Sequence, residues 1–216
     1  MIRLFYAFLA LVFVPLFIVA QDKKSDAPMK KKISDVTEKM EKIDGFVPLY
    51  LNAEDGKIYL EISRFNKEFL YQVSLPTGVG SNPIGLDRGQ LGNTKVVYFE
   101  RAGNKILLVQ PNYDYRALGD NAAEKRSVEE SFAKSVIWGF KVEATEGDKI
   151  LVDATSFLIR DAHAVADRLN QAKQGSFGFD ESRSALYLPN TKGFPKNTEV
   201  ESTITLTSKS ATGRLI

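Results

Sequence analysis

The chain has 216 residues, with 29 basic and 27 acidic side chains, one histidine and no cysteine. That length suits one sizeable domain with a true core, and the near-neutral charge argues against a nucleic-acid or polybasic membrane partner. The lack of cysteine excludes disulfide stapling and an anchor through a lipidated cysteine.

Residues 1–20 read as a secretory signal peptide: Arg3, the apolar run 4–19, then the small Ala20 before Gln21. The alternative is an uncleaved anchor, but Pro15 interrupts the run, which is short of the roughly 20 residues a span needs. Loss of Arg3 leaves 28 basic against 27 acidic residues, a net charge of +1. The expected location is periplasmic or extracellular, with no stable membrane anchor after cleavage. Residues 21–44 form a polar linker, QDKKSDAPMKKK, and a short helix. Ile33, Val36, Met40 and Ile43 recur at helical spacing, predicting an amphipathic helix over 33–43 that ends at Asp44-Gly45.

Residues 45–208 are expected to form one β-rich domain, with 209–216 as a tail. Segments 46–51 and 57–62 predict a hairpin around Asn52–Gly56, and Ile58, Leu60 and Ile62 alternate with Tyr59 and Glu61, predicting one buried and one wet face. A third strand is expected over 69–75. The following loop holds Gly78-Val79-Gly80 but lacks the lysine and hydroxyl of a phosphate loop. The next stretch, GLDRGQLG over 85–92, places three glycines around Asp87-Arg88, opposite charges that can close the loop on itself. It leads into a hairpin over 94–101 and 105–110, turned at Gly103-Asn104.

A helix over 122–134 starts near Asn121, with Val128 and Phe132 inward. A third hairpin, 136–144 with 149–155, carries Trp138, read as a core residue. A second helix is predicted over 160–173 with Ala162, Val165, Ala166 and Leu169 inward and Gly175 as its closing glycine. Strands over 177–179, 184–188 and 199–207 complete the sheet, the last with Val200, Ile204 and Leu206 on one face. The fold class is α+β: mainly antiparallel β hairpins with two inserted helices.

Chemistry is sparse. His163 and Asp167 stand one turn apart on the second expected helix, and His163 reads as a helix-surface or interface residue rather than a base. Glu129 and Glu130 are adjacent and diverge by about 100° on a helix, so they form no carboxylate pair. No catalytic and no metal-ligating residue is assigned. Asp87, Arg88, Arg160, Asp161 and His163 are read as structural or interface residues, with Asp161 suited to a helix start.

Several blocks carry a family resemblance: GFVPLYLNAEDGKIYLEI, FLYQVSLPTGVGSNPIGLDRGQLG, VVYFERAGNKILLVQPNYDYRA, SVEESFAKSVIWGF, LVDATSFLIRDAHAVADRL and RSALYLPNTKGFPKNTEVE. They resemble the N-terminal, non-catalytic region of exported bacterial zinc-dependent metalloproteases of metzincin-like type, from Ile33 to about Leu206. The resemblance implies a catalytic domain in cis as partner, bearing an extended HExxH zinc motif. No HExx pattern occurs here, so no zinc or catalytic residue carries over and zinc is expected only in that other domain. A truncated product or incomplete gene is the corresponding expectation. The role implied is packing, folding or substrate presentation. The alternative is a free-standing envelope domain that binds protein or glycan. An exposed apolar surface near the last strand favours the first, and a preformed aromatic cleft near Tyr113 and Tyr115 the second.

Overall fold

The computed structural model describes residues 31–79 and 82–210. The expected signal peptide, residues 21–30 of the linker and 211–216 of the tail lie outside the described residues. Helix α1 (Ile33–Thr37) leads into β1 (Glu41–Ile43), β2 (Leu49–Leu51) and β3 (Ile58–Ile62). Then come β4 (Phe69–Tyr71), β5 (Ser74–Leu75), β6 (Gln90–Leu91), β7 (Lys95–Ala102) and β8 (Lys105–Gln110). Helix α2 (Ala122–Ser131) precedes β9 (Ser135–Glu146) and β10 (Lys149–Asp153), and α3 (Thr155–Leu158) and α4 (Val165–Gln171) follow. The described chain closes with β11 (Phe177–Leu186), β12 (Lys192–Gly193), β13 (Thr198–Glu199) and β14 (Ser202–Ser208).

The fold is β-rich α+β, as the alternating segments predict. Its centre is one eight-stranded antiparallel sheet in the order β1-β2-β3-β10-β9-β8-β7-β4. All three expected hairpins are present, and the central one turns at Gly103, whose φ of 61° needs no Cβ relief. The main core lies on one sheet face, where Leu49, Ile58, Ile62, Ile106, Phe140 and Val152 are almost fully excluded from water. Each such side chain contributes about 1.5–3 kcal/mol by burial. Phe157 of α3 covers this face, with Trp138 packed beside it at a ring separation of 5.6 Å.

The face expected to be wet is not. Tyr59 is 8 % and Glu61 5 % exposed: α1 packs on this side against β9, and Tyr50 and Lys149 close over Glu61. Ile33, Tyr50, Tyr59, Ala144 and Leu151 form a second cluster there, with Val36 and Met40 against it. The helix expected over 33–43 therefore stops at Thr37, whose hydroxyl donates back to the Ile33 carbonyl at 2.9 Å. Ile43 instead lies in β1, opposite Leu49, and packs toward the main core on the other side of the sheet. One helical stripe cannot reach both faces, so the shared spacing of these four residues was coincidental.

The other departures have equally local causes. The strand over 69–75 splits, because β4 pairs with β7 while β5 pairs with β6. Helix α2 is capped by Asn121, which accepts from Ala123 N and Glu124 N, but it ends at Ser131 and buries no residue. Val128 and Phe132 thus face no core. The helix over 160–173 is reduced to α4, entered through Ala164 at a φ of 56°. Its closure is a Schellman motif with Lys173, not Gly175, as the left-handed residue at φ 57°. Gln174 N reaches Leu169 O at 3.0 Å and Lys173 N reaches Asn170 O at 3.1 Å. Finally, β11 and β14 do not join the large sheet but form a separate ribbon. The strand expected over 199–207 breaks between β13 and β14, and Leu186 of the ribbon and Val200 at the break pack on the main core.

Candidate functional site

Segments 74–79 and 82–92 meet the start of α4 in the most distinctive junction among the described residues. The loop is pinned at its base by the β5–β6 pair and by Gly92 N donating to Val73 O at 2.8 Å. Val79 N and Gly89 N close it further on Leu86 O and Leu75 O, at 3.0 and 2.8 Å. Gly78 permits this crossing, since a Cβ there would stand 2.7 Å from both Arg88 N and Leu86 O. Leu86 is wholly buried and meets Val165 and Leu169 of α4 in a third apolar cluster. Arg168 adds the polar half of the clasp: one guanidinium nitrogen, Nη1, donates to Gly85 O and Gln90 Oε1, each at 3.0 Å. The loop 85–92 and the segment around His163, singled out separately in the sequence, are thus neighbours.

The five named residues have different surroundings. Asp161 spends both carboxylate oxygens on the start of α4, accepting from Val165 N and Ala166 N at 2.8 Å each. Arg160 donates to Phe157 O at 2.9 Å and to the Tyr71 hydroxyl at 3.2 Å, with its guanidinium over the rings of Phe157 and Trp138. Burial pushes the Tyr71 phenol up, and the Arg160 charge and hydrogen bond oppose that. Asp87 and Arg88 make no ion pair among the described residues, because backbone hydrogen bonds close the loop instead. Asp87 Oδ1 is buried without a partner, while Arg88 is exposed.

His163 is the largest correction. It precedes α4 rather than riding on it, it makes no bond to Asp167, and it is only 9 % exposed. Neither ring nitrogen has a hydrogen-bond partner among the described residues. Burial pushes its pKa down, the Arg168 charge pushes the same way, and Asp161 pulls against them. The ring lies against Gly92, where a Cβ would stand in ordinary contact with it, 3.5 Å from Nδ1. No hydroxyl or carboxylate among the described residues bonds the imidazole, so neither a nucleophile–base nor a base–orienter bond is formed there. Among the described residues, no group of three histidine or acidic side chains is placed to hold a metal ion.

A second buried ionisable group escaped the sequence reading. Glu61 on β3 accepts from the Tyr50 hydroxyl at 2.7 Å and pairs with Lys149 Nζ at 2.8 Å. Burial, the largest single influence, pushes the carboxyl up, but the bonds from Lys149 and Tyr50 together hold it below its ordinary range. The same burial, with Glu61 beside it, pushes the Tyr50 phenol strongly upward. The signal was a lone carboxylate inside IYLEI, which an alternation reading assigns to solvent.

With the geometry in view, family comparison divides the chain within this same loop. The profile of a domain of unknown function, DUF5117, matches residues 89–215. The chain belongs to that family. A second domain of unknown function, DUF5118, matches residues 30–78. No curated protein and no solved structure matches the chain. The DUF5118 region supplies β1 to β5 and the DUF5117 region β6 to β14, so the seam between them, 79–88, contains Leu86, Asp87 and Arg88. The two regions share one sheet. DUF5118 strands flank it on both sides, β3 against β10 and β4 against β7, around four central DUF5117 strands.

Proposed function

We propose that this chain is the non-catalytic part of an exported metalloprotease-type protein, and that it packs against and supports a catalytic domain in cis. The observation that carries this reading is the apolar surface left open around the terminal ribbon. Phe179 on β11 and Tyr187, Leu188 and Phe194, between β11 and β13, are exposed large side chains. All four fall within residues 179–194 of the chain, and a contiguous exposed apolar patch is the usual mark of a protein-facing surface. The alternative, a free-standing binder of protein or glycan, needs an open aromatic cleft at Tyr113 and Tyr115, and both rings are already engaged. Tyr113 donates to Glu68 and carries Arg116 over its face, and Tyr115 stacks on Phe132 at 3.9 Å and 4°.

The resemblance of the sequence blocks supports the metalloprotease side of the reading, and the apolar start of the chain supports export. Zinc and its chemistry belong to the catalytic domain. The test is sedimentation of this chain with a separately produced catalytic domain from a protein of the resembled type. A complex that Leu188→Ser and Phe194→Ser weaken is the expected result. No complex, or one indifferent to both changes, overturns the reading. The purified chain alone is expected to turn over no casein, and chelator-sensitive turnover that survives repurification would count against it.

A further inference from the structure

We propose that the junction between segment 82–92 and α4 is a pH-sensitive latch, in which protonation of His163 releases that segment from α4. The geometry is that of a group placed where its charged form has nowhere to go. His163 is the only histidine in the chain, it is nine-tenths buried, and among the described residues both of its ring nitrogens lack an acceptor or donor. A neutral imidazole tolerates one unmet N–H at modest cost, whereas an imidazolium needs two acceptors or water.

The charged groups around it offer no relief. Arg168, from α4, repels a second cation, and Asp161, from the same turn, already gives both oxygens to Val165 N and Ala166 N. From the loop side the ring meets the uncharged Gly92, and the loop's own charged residues, Asp87 and the exposed Arg88, make no bond to it. A protonated His163 therefore gains its hydration by leaving. That displaces Gly92 and the short β5–β6 pair, and it strains the Arg168 bonds to Gly85 O and Gln90 Oε1. These few bonds are weaker than the continuous sheet, so the loop opens locally before the core does. Burial and Arg168 set the switch below the ordinary histidine value of about 6.5.

Two measurements on the full chain test this. NMR titration of the single imidazole is expected to give a midpoint below about 6.5. Hydrogen exchange, corrected for its intrinsic pH dependence, is expected to rise in peptides covering 74–92 and 161–175 by up to about tenfold per pH unit in that window, with the β8–β9 peptides unchanged. In His163→Leu the rise should disappear. A midpoint at or above about 6.5, an equal rise in His163→Leu, or a rise spread evenly across the sheet would each overturn the latch. Should the leucine variant not fold, the two wild-type readouts decide alone.

Discussion

Glu61 and His163 are two buried ionisable groups in the same small protein, and their surroundings are opposite. Glu61 is ringed by donors, Tyr50 and Lys149, so its charge is compensated and its pKa falls despite burial. Among the described residues His163 has no partner at either nitrogen, and the Arg168 charge lies nearby, so its neutral form is the one favoured. Glu61 ties together adjacent strands of a continuous sheet, whereas His163 sits where a loop meets a seven-residue helix. Burial by itself does not decide what an ionisable group does. The partners decide whether it locks a structure or makes it conditional.

The strongest way to break this comparison is to remove the strands that carry Glu61. Residues 82–210 without 31–79 lose the partners of β10 and β7 at once, leaving two open edges and an uncovered core. That fragment is expected to show no cooperative thermal transition. A sharp melt from the fragment alone would mean that the DUF5117 region folds independently.

Side-chain exchanges sharpen the contrast. Glu61→Leu strands the buried Tyr50 hydroxyl and leaves Lys149 unpaired, and should cost about 2–4 kcal/mol in urea unfolding at unchanged m-value. His163→Leu strands nothing, and should lie within about 0.5 kcal/mol of wild type at pH 7.5. Equal losses for the two would refute the distinction.

Acid should separate the two groups in pH, though both act with the same sign. Each has a folded pKa below its unfolded value, so the unfolded state binds more protons between the two values and stability falls as pH falls. For His163 the loss begins near pH 6.5, and for Glu61 near pH 4.3, about the values for the free side chains. Urea midpoints measured from pH 8 to 3 should therefore fall in two steps. His163→Leu should remove the upper step, and a variant that keeps it would show that another group titrates there.

The smallest expected effect lies at the far end of α4. Lys173 occupies a left-handed position that costs a side-chain-bearing residue about 1–2 kcal/mol, partly offset by the greater chain entropy of glycine. Lys173→Gly should therefore raise stability by roughly 0.5–1 kcal/mol. A lower melting temperature would show that the lysine side chain contributes more than its backbone strain removes.

How much of this was legible depends on the range of the interaction involved. Hairpins are local, so the 58–62, 95–110 and 135–153 strands could be read from alternation and from turn residues such as Gly103. The Asn121 cap was readable for the same reason, since its bonds span only two and three residues. The site was readable only in part. Asp87, Arg88, Arg160, Asp161 and His163 stood out as charged or titratable residues in glycine-rich or helix-start contexts. Nothing local indicates that Leu86 would pack on Leu169, or that Arg168 would reach back 83 residues to Gly85. Helix lengths failed where apolar spacing was shared by two structures: Ile33 and Ile43 fit one helical stripe, yet they serve opposite faces of a sheet.

The sequence alone determined the three hairpins, their tight turns and the core-facing positions of strands such as β3, because those follow from steric and hydrophobic preferences of adjacent residues. Tertiary structure alone decided which hairpins are neighbours. The pairing of β3 with β10 and of β4 with β7 brings together segments far apart in the chain. That choice rests on the total area each arrangement buries, which no local window contains. It also decided the state of the two buried groups. A carboxylate becomes a lock and an imidazole a latch only when distant segments bring donors to one and withhold them from the other.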